Sequence, residues 1–197
     1  MKEHVVPSLR LFLALTLLLG LGYPAVVWGV GQLAFRDAAN GSFLRKGETT
    51  VGSSLIGQSF TSPRYFHGRP SGAGERGYDA TASGGTNLGP TSKKLADAVR
   101  DAVALAREEN PAASGPVPAD AVTSSGSGLD PHVSPEYARW QAPRVAAASG
   151  IRTADVEQMI AARTEGRFLG LFGEPRVNVL LLNLDLTQRI ESMAPAR

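Results

Sequence analysis

The amino-acid sequence predicts an α+β protein with a single N-terminal transmembrane helix followed by one mixed α/β soluble domain. This domain should have a small sheet and long Gly/Pro-rich loops. Three observations support this prediction. One long apolar run without charged residues, Leu11–Phe35, lies near the start of the chain. Later segments show the apolar spacing of amphipathic helices. Glycine (22 residues) and proline (13 residues) are frequent, and many of them lie in stretches without periodicity.

The composition excludes several classes of protein and of site. A formal net charge of +2 is too balanced for a nucleic-acid-binding protein, so we expect no nucleic-acid partner. The chain has no Cys, which excludes disulfides, a thiol nucleophile and zinc sites of the cysteine type. Its three histidines, His4, His67 and His132, are scattered. Because they do not have the spacing of metal ligands, we expect no metal site.

The run Leu11–Phe35 predicts the transmembrane helix, with residues 1–10 as an N-terminal flank. A helix of this length, at 1.5 Å per residue, exceeds the ~30 Å hydrocarbon core of a bilayer. A cleaved signal peptide would have a shorter apolar run that ends at a cleavage site, whereas this run is too long and no Ala-x-Ala follows it. Basic residues on both sides of the span leave its orientation open. The span contains four glycines that would let a neighbouring helix approach closely: Gly20, Gly22, Gly29 and Gly31.

The rest of the chain is predicted to lie outside the membrane, as a connector at residues 36–50 and a soluble domain at residues 51–197. Thr49–Phe60 mixes β-branched and apolar residues with glycine, which predicts one or two short strands. The irregular stretch from residue 61 to residue 92 contains several large apolar side chains. We therefore expect it to be an ordered interface loop.

Three helices are predicted in the soluble domain. Ser92–Asn110 has an apolar face and begins at a capping residue. The expected inward residues of this helix are Leu95, Val99, Ala102, Leu105 and Ala106. A second helix should begin at Ser134 with Pro135 in its first turn, be limited or kinked by Pro143, and end near Gly150.

The end of the chain predicts one more helix and one strand. Residues 153–164 form a short amphipathic pattern with Val156, Met159 and Ile160 directed inward. Arg176–Leu186, with the sequence RVNVLLLNLDL, is a continuous apolar run after a turn and predicts a buried strand.

The stretch from Val122 to Val145 is the part of the chain that most resembles an active site. Ser127, Asp130 and His132 are the residue types of a hydrolase triad, but Ser127 lacks a G-x-S-x-G elbow. Triad members also converge from separate parts of a fold rather than from one turn. We therefore expect no catalytic residue, and we interpret Asp130, Pro131 and His132 as part of an interface or as a turn leading to the helix at Ser134.

The same stretch is also a candidate binding loop. Ser125, Gly126, Ser127 and Gly128 are candidates for contacting a nucleotide or a partner, because a Gly/Ser-rich loop can present backbone amides to an anion. The spacing matches neither a P-loop nor a dinucleotide fingerprint, so an ordinary glycine-rich loop remains the simpler interpretation. Asn87 and Gly89, in the similar stretch SGGTNLGPTS, are further candidates for an interface or a turn.

Several long strings together resemble one known family, the C subunits of the bacterial potassium-transporting P-type ATPase of the Kdp system. The resemblance covers nearly the whole chain in the same order. The strings are SSLIGQSFTSPRYFHGRPS (53–71), SGGTNLGPTS (83–92), VPADAVTSSGSGLDPHVSPEYARWQAPRVA (117–146) and LGLFGEPRVNVLLLNLDL (169–186).

The resemblance implies a non-catalytic accessory subunit of an ATP-driven, high-affinity potassium importer. Its partners would be a channel-like potassium-selecting subunit, an ATP-hydrolysing pump subunit and a small fourth subunit. The location implied is the bacterial inner membrane, with the soluble domain outside the cytoplasm. The chain lacks the D-K-T-G-T sequence of the pump subunit, which agrees with an accessory role.

The resemblance also implies an alternative role, as a nucleotide-binding regulator that raises the ATP affinity of the pump subunit. This "catalytic chaperone" would contact nucleotide through residues of the SGSG type, here Ser125–Gly128. ATP would then be shared with the pump subunit, and no cofactor is expected to be held firmly by this chain alone.

Overall fold

The predicted fold class is confirmed by the structure, a computed structural model that describes residues 2–193. One N-terminal apolar helix precedes a mixed α/β domain with small sheets. The chain divides into two compact units between Val51 and Gly52, and each unit is described by itself below.

The first unit consists mainly of one long helical rod. It comprises α1 (Lys2–Leu17), a π-helical turn (Leu18–Gly22) and α2 (Tyr23–Ala34). The helical segment Glu3–Ala34 is long and apolar enough to cross a membrane, with a mean hydropathy of 2.0 over its most apolar window, none of which is buried. The helix begins at Lys2 and so includes the segment predicted as a flank.

Pro24 explains the π-helical turn in this rod. A proline within a helix has no N–H to donate, and its ring crowds the carbonyl four residues earlier, which here belongs to Gly20. The N–H of Tyr23 donates to the oxygen of Leu18, five residues back, so that the turn is one residue wider than an α-helical turn. The wider turn makes room for the proline ring without ending the helix.

The segment predicted as a connector contains regular structure. After the short helix α3 (Arg36–Ala39), strands β1 (Phe43–Lys46) and β2 (Thr49–Ser53) form a two-stranded hairpin. Gly47 lies between them with a φ of +63°, a conformation that glycine adopts without steric strain. The strand prediction over Thr49–Phe60 is therefore confirmed only for its first five residues, and turns follow.

The second unit contains a three-stranded antiparallel sheet and four helices. Strand order is β3-β5-β4, with the register His132↔Asn178 between β3 and β5 and Thr164↔Val177 between β4 and β5. The strands are β3 (His132–Val133), β4 (Thr164–Glu165) and β5 (Arg176–Asn178). The helices are α4 (Lys93–Glu109), α5 (Pro135–Ser149), α6 (Thr153–Ala162) and α7 (Val179–Met193).

The three predicted helices are confirmed, and side-chain caps mark the starts of α4 and α5. The hydroxyl of Ser92 accepts a hydrogen bond from the N–H of Leu95 at the start of α4 (3.4 Å), and Ser134 accepts from Tyr137 at the start of α5 (3.0 Å). Gly150 ends α5 in the left-handed conformation, with a φ of +70°. One detail was wrong, because Leu105 of α4 was expected to face inward and is 56% exposed.

The predicted strand Arg176–Leu186 is also wrong. Only Arg176–Asn178 is extended, and α7 begins at Val179. Asn178 causes the change, because its side-chain oxygen accepts a hydrogen bond from the N–H of Leu181 (3.1 Å) and so caps the helix. The buried positions follow helical spacing: Val179, Leu180, Leu182, Asn183 and Leu186.

Buried amide side chains hold the segment that leads to the candidate site. The backbone of Phe66 is paired at both its N–H and its C=O with Asn183 of α7 (2.8 and 2.9 Å). The backbone of His67 is paired in the same way with Gln141 of α5 (2.8 and 3.1 Å). Because Asn183 and Gln141 are fully or almost fully buried, these pairings replace the strand partner that this segment lacks.

Candidate functional site: the Ser-Gly loop and its cleft

The candidate site is built around residues 124–132, which we call the Ser-Gly loop. This loop lies after the 3₁₀ turn Ala119–Ala121 and ends in β3. Three backbone N–H groups from distant parts of the chain donate to its carbonyl oxygens, so the loop is fixed from outside. They are Gly84 N–H to Ser127 O (2.9 Å), Gly57 N–H to Leu129 O (2.8 Å) and Val179 N–H to Pro131 O (2.9 Å).

Ser71 and Tyr78 connect the loop to the preceding segment through a chain of hydrogen bonds. The hydroxyl of Ser71 donates to the carbonyl oxygen of Gly128 (2.6 Å) and accepts from the N–H of Tyr78 (2.7 Å). The phenol of Tyr78 donates to the carbonyl oxygen of Arg69 (2.7 Å). Burial raises the pKa of Tyr78 to about 12, so this phenol remains a neutral donor at physiological pH.

Gly128 is the residue at which only glycine fits. Its φ is +68°, and a Cβ added there would lie 2.7 Å from the nitrogen of Ala73 and 2.8 Å from the oxygen of Gly84. Two residues earlier, Gly126 is exposed and has nothing within 4 Å of such an atom. The loop is therefore tightly packed on one side and open on the other.

Arg69 joins the loop to the segment held by the buried amides. Its guanidinium donates to the carbonyl oxygens of Thr123 (3.2 Å) and Ser124 (3.4 Å), and to the hydroxyl of Thr123 (3.3 Å). It also forms an ion pair with Asp130 at 3.5 Å. Arg69 thus contacts both ends of the Ser-Gly loop.

Asp130 organises the last turn of the loop. Its carboxylate accepts a hydrogen bond from the backbone N–H of His132 (2.9 Å), and the ring nitrogen Nδ1 of His132 lies 3.3 Å from the same oxygen. Burial alone would raise the pKa of Asp130. The hydrogen bonds from His132 and the nearby charges of His132 and Arg69 outweigh it and hold the pKa below its usual value. Asp130 is therefore a carboxylate at neutral pH.

The hydroxyl of Ser127 forms its hydrogen bonds within the turn. It accepts from the N–H of Leu129 (3.1 Å) and lies 3.5 Å from the hydroxyl of Ser125. Within residues 2–193, no hydrogen bond joins Ser127 to His132. The arrangement therefore lacks the nucleophile–base contact that a Ser-His-Asp hydrolase requires.

An open cleft of about 640 Å³ lies beside the loop. Leu55 (58% exposed) and Ile56 (36% exposed) form an apolar edge, and serine hydroxyls and the Arg69–Asp130 pair form the rest. The residues lining it are Leu55, Ile56, Arg69, Ser83, Ser124, Ser125, Gly126, Ser127, Leu129, Asp130 and Pro131.

The structure brings together most, but not all, of the predicted site residues. Ser125, Gly126, Ser127, Asp130 and Pro131 line the cleft. Gly128 is buried in the packed side of the loop, and His132 lies in β3.

Asn87 and Gly89 are exposed and lie outside this lining. Asn87 has a φ of +52°, and the carbonyl oxygen of Gly89 accepts from the N–H of Ser92 at 2.9 Å. Both residues therefore have turn geometry in the approach to α4. The part of the chain that the structure describes contains no group of three or more His, Cys, Asp or Glu side chains placed to hold a metal ion.

Sequence reasoning missed six of the eleven residues that line the cleft, four of them from distant segments. Leu55, Ile56, Arg69 and Ser83 come from segments far from the Ser-Gly loop along the chain. Arginine is a frequent partner of carboxylates, but Arg69 is one of three arginines in its Gly/Pro-rich segment, with Arg64 and Arg76. Nothing in the sequence identified Asp130 as the carboxylate that pairs with Arg69.

A family model described as KdpC, "K+-transporting ATPase, c chain", matches residues 5–188. The chain belongs to the KdpC family. The resemblance of the quoted strings to this family is thereby confirmed, and the match includes the apolar helix and the cleft.

Full-length relatives agree with the family model. A "Potassium-transporting ATPase KdpC subunit" of Myxococcus xanthus is 54% identical over 197 residues, which is 100% of this chain and 93% of the relative. Proteins of the same name match from Koribacter versatilis (50% identity, 94% of this chain and 95% of the relative) and Rhodospirillum rubrum (52% identity, 96% and 97%). These KdpC relatives are therefore similar to the chain along both units.

Proposed function

We propose that this KdpC-family chain is a non-catalytic accessory subunit of an ATP-driven potassium import complex. It assembles and stabilises the channel-like, potassium-selecting subunit, the ATP-hydrolysing pump subunit and the small fourth subunit. The N-terminal helix anchors it in the bacterial inner membrane, and the soluble domain lies outside the cytoplasm. One observation carries this proposal. The Ser-Gly loop is held rigidly from outside but presents an open, partly apolar cleft without a nucleophile–base pair.

The composition of the cleft supports a protein partner. Protein interfaces combine apolar surface with polar groups, and arginine is enriched in them. Leu55 and Ile56 supply exposed apolar surface, and the Arg69–Asp130 pair supplies fixed polar groups beside it. A rigid surface also loses little conformational entropy when a partner binds.

The rival function is a nucleotide-binding regulator that raises the ATP affinity of the pump subunit. The exposed Ser125–Ser127 segment favours it, because hydroxyls and an unhindered glycine face the cleft. The Arg69–Asp130 pair weighs against it. A phosphate would have to displace or tolerate the Asp130 carboxylate, which is the existing partner of the guanidinium that lines this cleft.

A pair of matched leucine variants tests the docking role of the cleft. Leu55 and Leu105 are almost equally exposed (58% and 56%), but Leu55 edges the cleft and Leu105 lies on α4. Leu55→Glu should greatly reduce co-purification of the channel-like and pump subunits with the chain, because it places a charge in the interface. Leu105→Glu should leave co-purification unchanged. Equal recovery of the complex with both variants would contradict the proposal.

Nucleotide measurements separate the two roles. We expect no saturable ATP binding when the full chain in detergent is titrated, and no change in the ATP KM of the assembled complex carrying Ser125→Ala. Saturable binding that Ser125→Ala weakens, together with a raised KM and intact assembly, would favour the nucleotide-binding regulator.

Protease accessibility tests the side of the membrane. We expect the soluble domain of the chain to be digested when protease is added to intact spheroplasts and to be protected in inverted vesicles. The opposite pattern would place the Ser-Gly loop on the same side as ATP, as the nucleotide-binding regulator requires.

A further inference from the structure

A short turn between β4 and β5 exposes an unusual concentration of apolar side chains. We call residues 168–173, with the sequence FLGLFG, the apolar tip. Its four large side chains are all mostly exposed: Phe168 (71%), Leu169 (75%), Leu171 (75%) and Phe172 (64%). The exposed apolar surface is thus contiguous in sequence and belongs to a single turn.

The tip has a defined backbone conformation. Phe168 and Phe172 form an isolated antiparallel bridge, with N–H to O distances of 2.8 and 3.0 Å in the two directions. Leu169 has a φ of +52°, which is unfavourable for a branched, non-glycine residue. The turn therefore maintains a strained backbone that leaves Leu169 facing outward rather than buried.

Four N–H groups of the tip are paired within the turn itself. The N–H groups of Phe168, Gly170, Leu171 and Phe172 all donate to carbonyl oxygens of residues 167–172. Internally paired N–H groups lower the cost of entering an apolar phase, where water is not present to pair with them. Since the tip also lacks polar side chains, it offers little directional bonding to a protein surface.

The charges around the tip are neutralised in pairs. Arg167 donates to both carboxylate oxygens of Glu174 (3.0 and 2.8 Å), and Arg176 pairs with Glu165 at 2.9 Å. The base of the tip thus carries equal numbers of positive and negative charges. Such a balance of charges fits a zwitterionic headgroup layer better than it fits a charged pocket on a protein.

The size of the tip argues against a second copy of the chain as its occupant. Four such side chains expose on the order of a few hundred Å². A stable two-protein interface needs roughly 800 Å² from each partner. A small contact suffices, however, when a membrane anchor keeps the domain at high effective concentration near the bilayer. The apolar helix Glu3–Ala34 is a candidate for that anchor.

We infer that the apolar tip inserts into the interfacial layer of the bilayer in which the chain is anchored. Phe and Leu side chains enter the boundary between headgroups and acyl chains, as they do in amphipathic segments that lie at a membrane surface. The tip then gives the soluble domain a second membrane contact. The inference rests on the N-terminal anchor but not on the role of the chain in assembly.

Because the chain has no cysteine, a single label can test this inference. Leu171→Cys is labelled with an environment-sensitive fluorophore in the full chain, reconstituted in zwitterionic phosphatidylcholine vesicles containing brominated lipid. Leu105→Cys, another exposed leucine, is the matched control. We expect a loss of emission at position 171 and little loss at position 105, both for the isolated chain and for the assembled complex.

Three results would overturn the inference. Equal emission with and without brominated lipid at position 171 would mean that the tip remains in water. Blue-shifted but unquenched emission that appears only in the complex would mean that another protein of the complex covers it. Quenching of the isolated chain that disappears on assembly would lead to the same conclusion. Since the isolated chain is measured separately, a failed assembly role is distinguishable from a failed membrane contact.

Discussion

The Ser-Gly loop and the apolar tip are both tight, glycine-containing turns, but they are stabilised in opposite ways. The Ser-Gly loop receives hydrogen bonds from Gly57, Gly84 and Val179, which lie far away in the sequence. The backbone hydrogen bonds of the tip stay within residues 167–172. The first turn is therefore part of the packed domain, and its geometry depends on the whole fold. The second is a local structure whose surface can change without affecting the domain.

The comparison predicts that a glycine-to-alanine substitution lowers the free energy of unfolding more in the Ser-Gly loop than in the apolar tip. Gly128→Ala should lower the free energy of unfolding by about 4 kcal/mol, because a left-handed conformation and a clash with buried backbone add up. Gly170→Ala should cost only about 1 kcal/mol, because its φ of +73° is similar but nothing lies within 4 Å of a Cβ added there. Denaturant unfolding of the full chain in detergent measures both, and similar losses would remove the distinction between the two turns.

The support of the Ser-Gly loop should extend into the helical core. Asn183→Ala leaves the buried N–H and C=O of Phe66 without partners, and we expect a loss of about 2–3 kcal/mol. Thr187→Ala on the same helix is the control, with an expected loss of about 1 kcal/mol or less. Hydrogen exchange should show faster opening near Arg69 in Asn183→Ala. Unchanged exchange there would mean that the amide pairing does not support the cleft.

The carboxylate of Asp130 makes the loop sensitive to acid in a way that the tip is not. Because the folded-state pKa of Asp130 is depressed, its stabilisation is present above the unfolded pKa of about 3.9 and is lost as the pH falls through the folded pKa. Asp130→Asn should cost about 1 kcal/mol at pH 7. Unfolding is measured from pH 7 to pH 3 for both proteins. The difference in free energy of unfolding between the unchanged chain and Asp130→Asn should become smaller below about pH 4. A difference that stays constant with pH would contradict the assignment.

Changes in the tip should have the smallest effect on folding. Leu171→Ser removes an exposed side chain, and we expect the free energy of unfolding to change by less than about 0.5 kcal/mol. The same substitution at the fully buried Leu182 should cost about 3 kcal/mol or more. Denaturant unfolding compares the two variants. A large loss at Leu171 would show that the tip packs against the domain.

Helices that begin at a side-chain cap were predictable from the sequence. Ser92, Ser134 and Gly150 act locally, and each does in the structure what its residue type favours. Asn178 has an equally local role, but it stands inside a run of apolar residues that resembles a buried strand. Periodicity alone does not distinguish a buried strand from a buried helix, and reading Asn178 as a cap would have resolved the ambiguity.

The candidate site was predictable only where it is contiguous. Ser125–Asp130 lie together because they are adjacent in the chain, and the turn chemistry of Asp130 and Pro131 could be read directly. Arg69 meets Asp130 across 61 residues, through contacts that depend on Asn183 and Gln141. Long-range pairings of this kind depend on tertiary packing, which local propensity does not encode.

The wide turn at Leu18–Gly22 rotates the two halves of the N-terminal helix relative to each other about the helix axis. One extra residue in a turn rotates the side chains on one side of it by about 100° relative to an uninterrupted α-helix. A neighbouring helix that runs along Gly29 and Gly31 would therefore meet a different stripe of α1 than a continuous helical wheel indicates. Deleting one residue from this turn would rotate the two halves of the helix relative to each other, while the composition of the helix would stay almost unchanged.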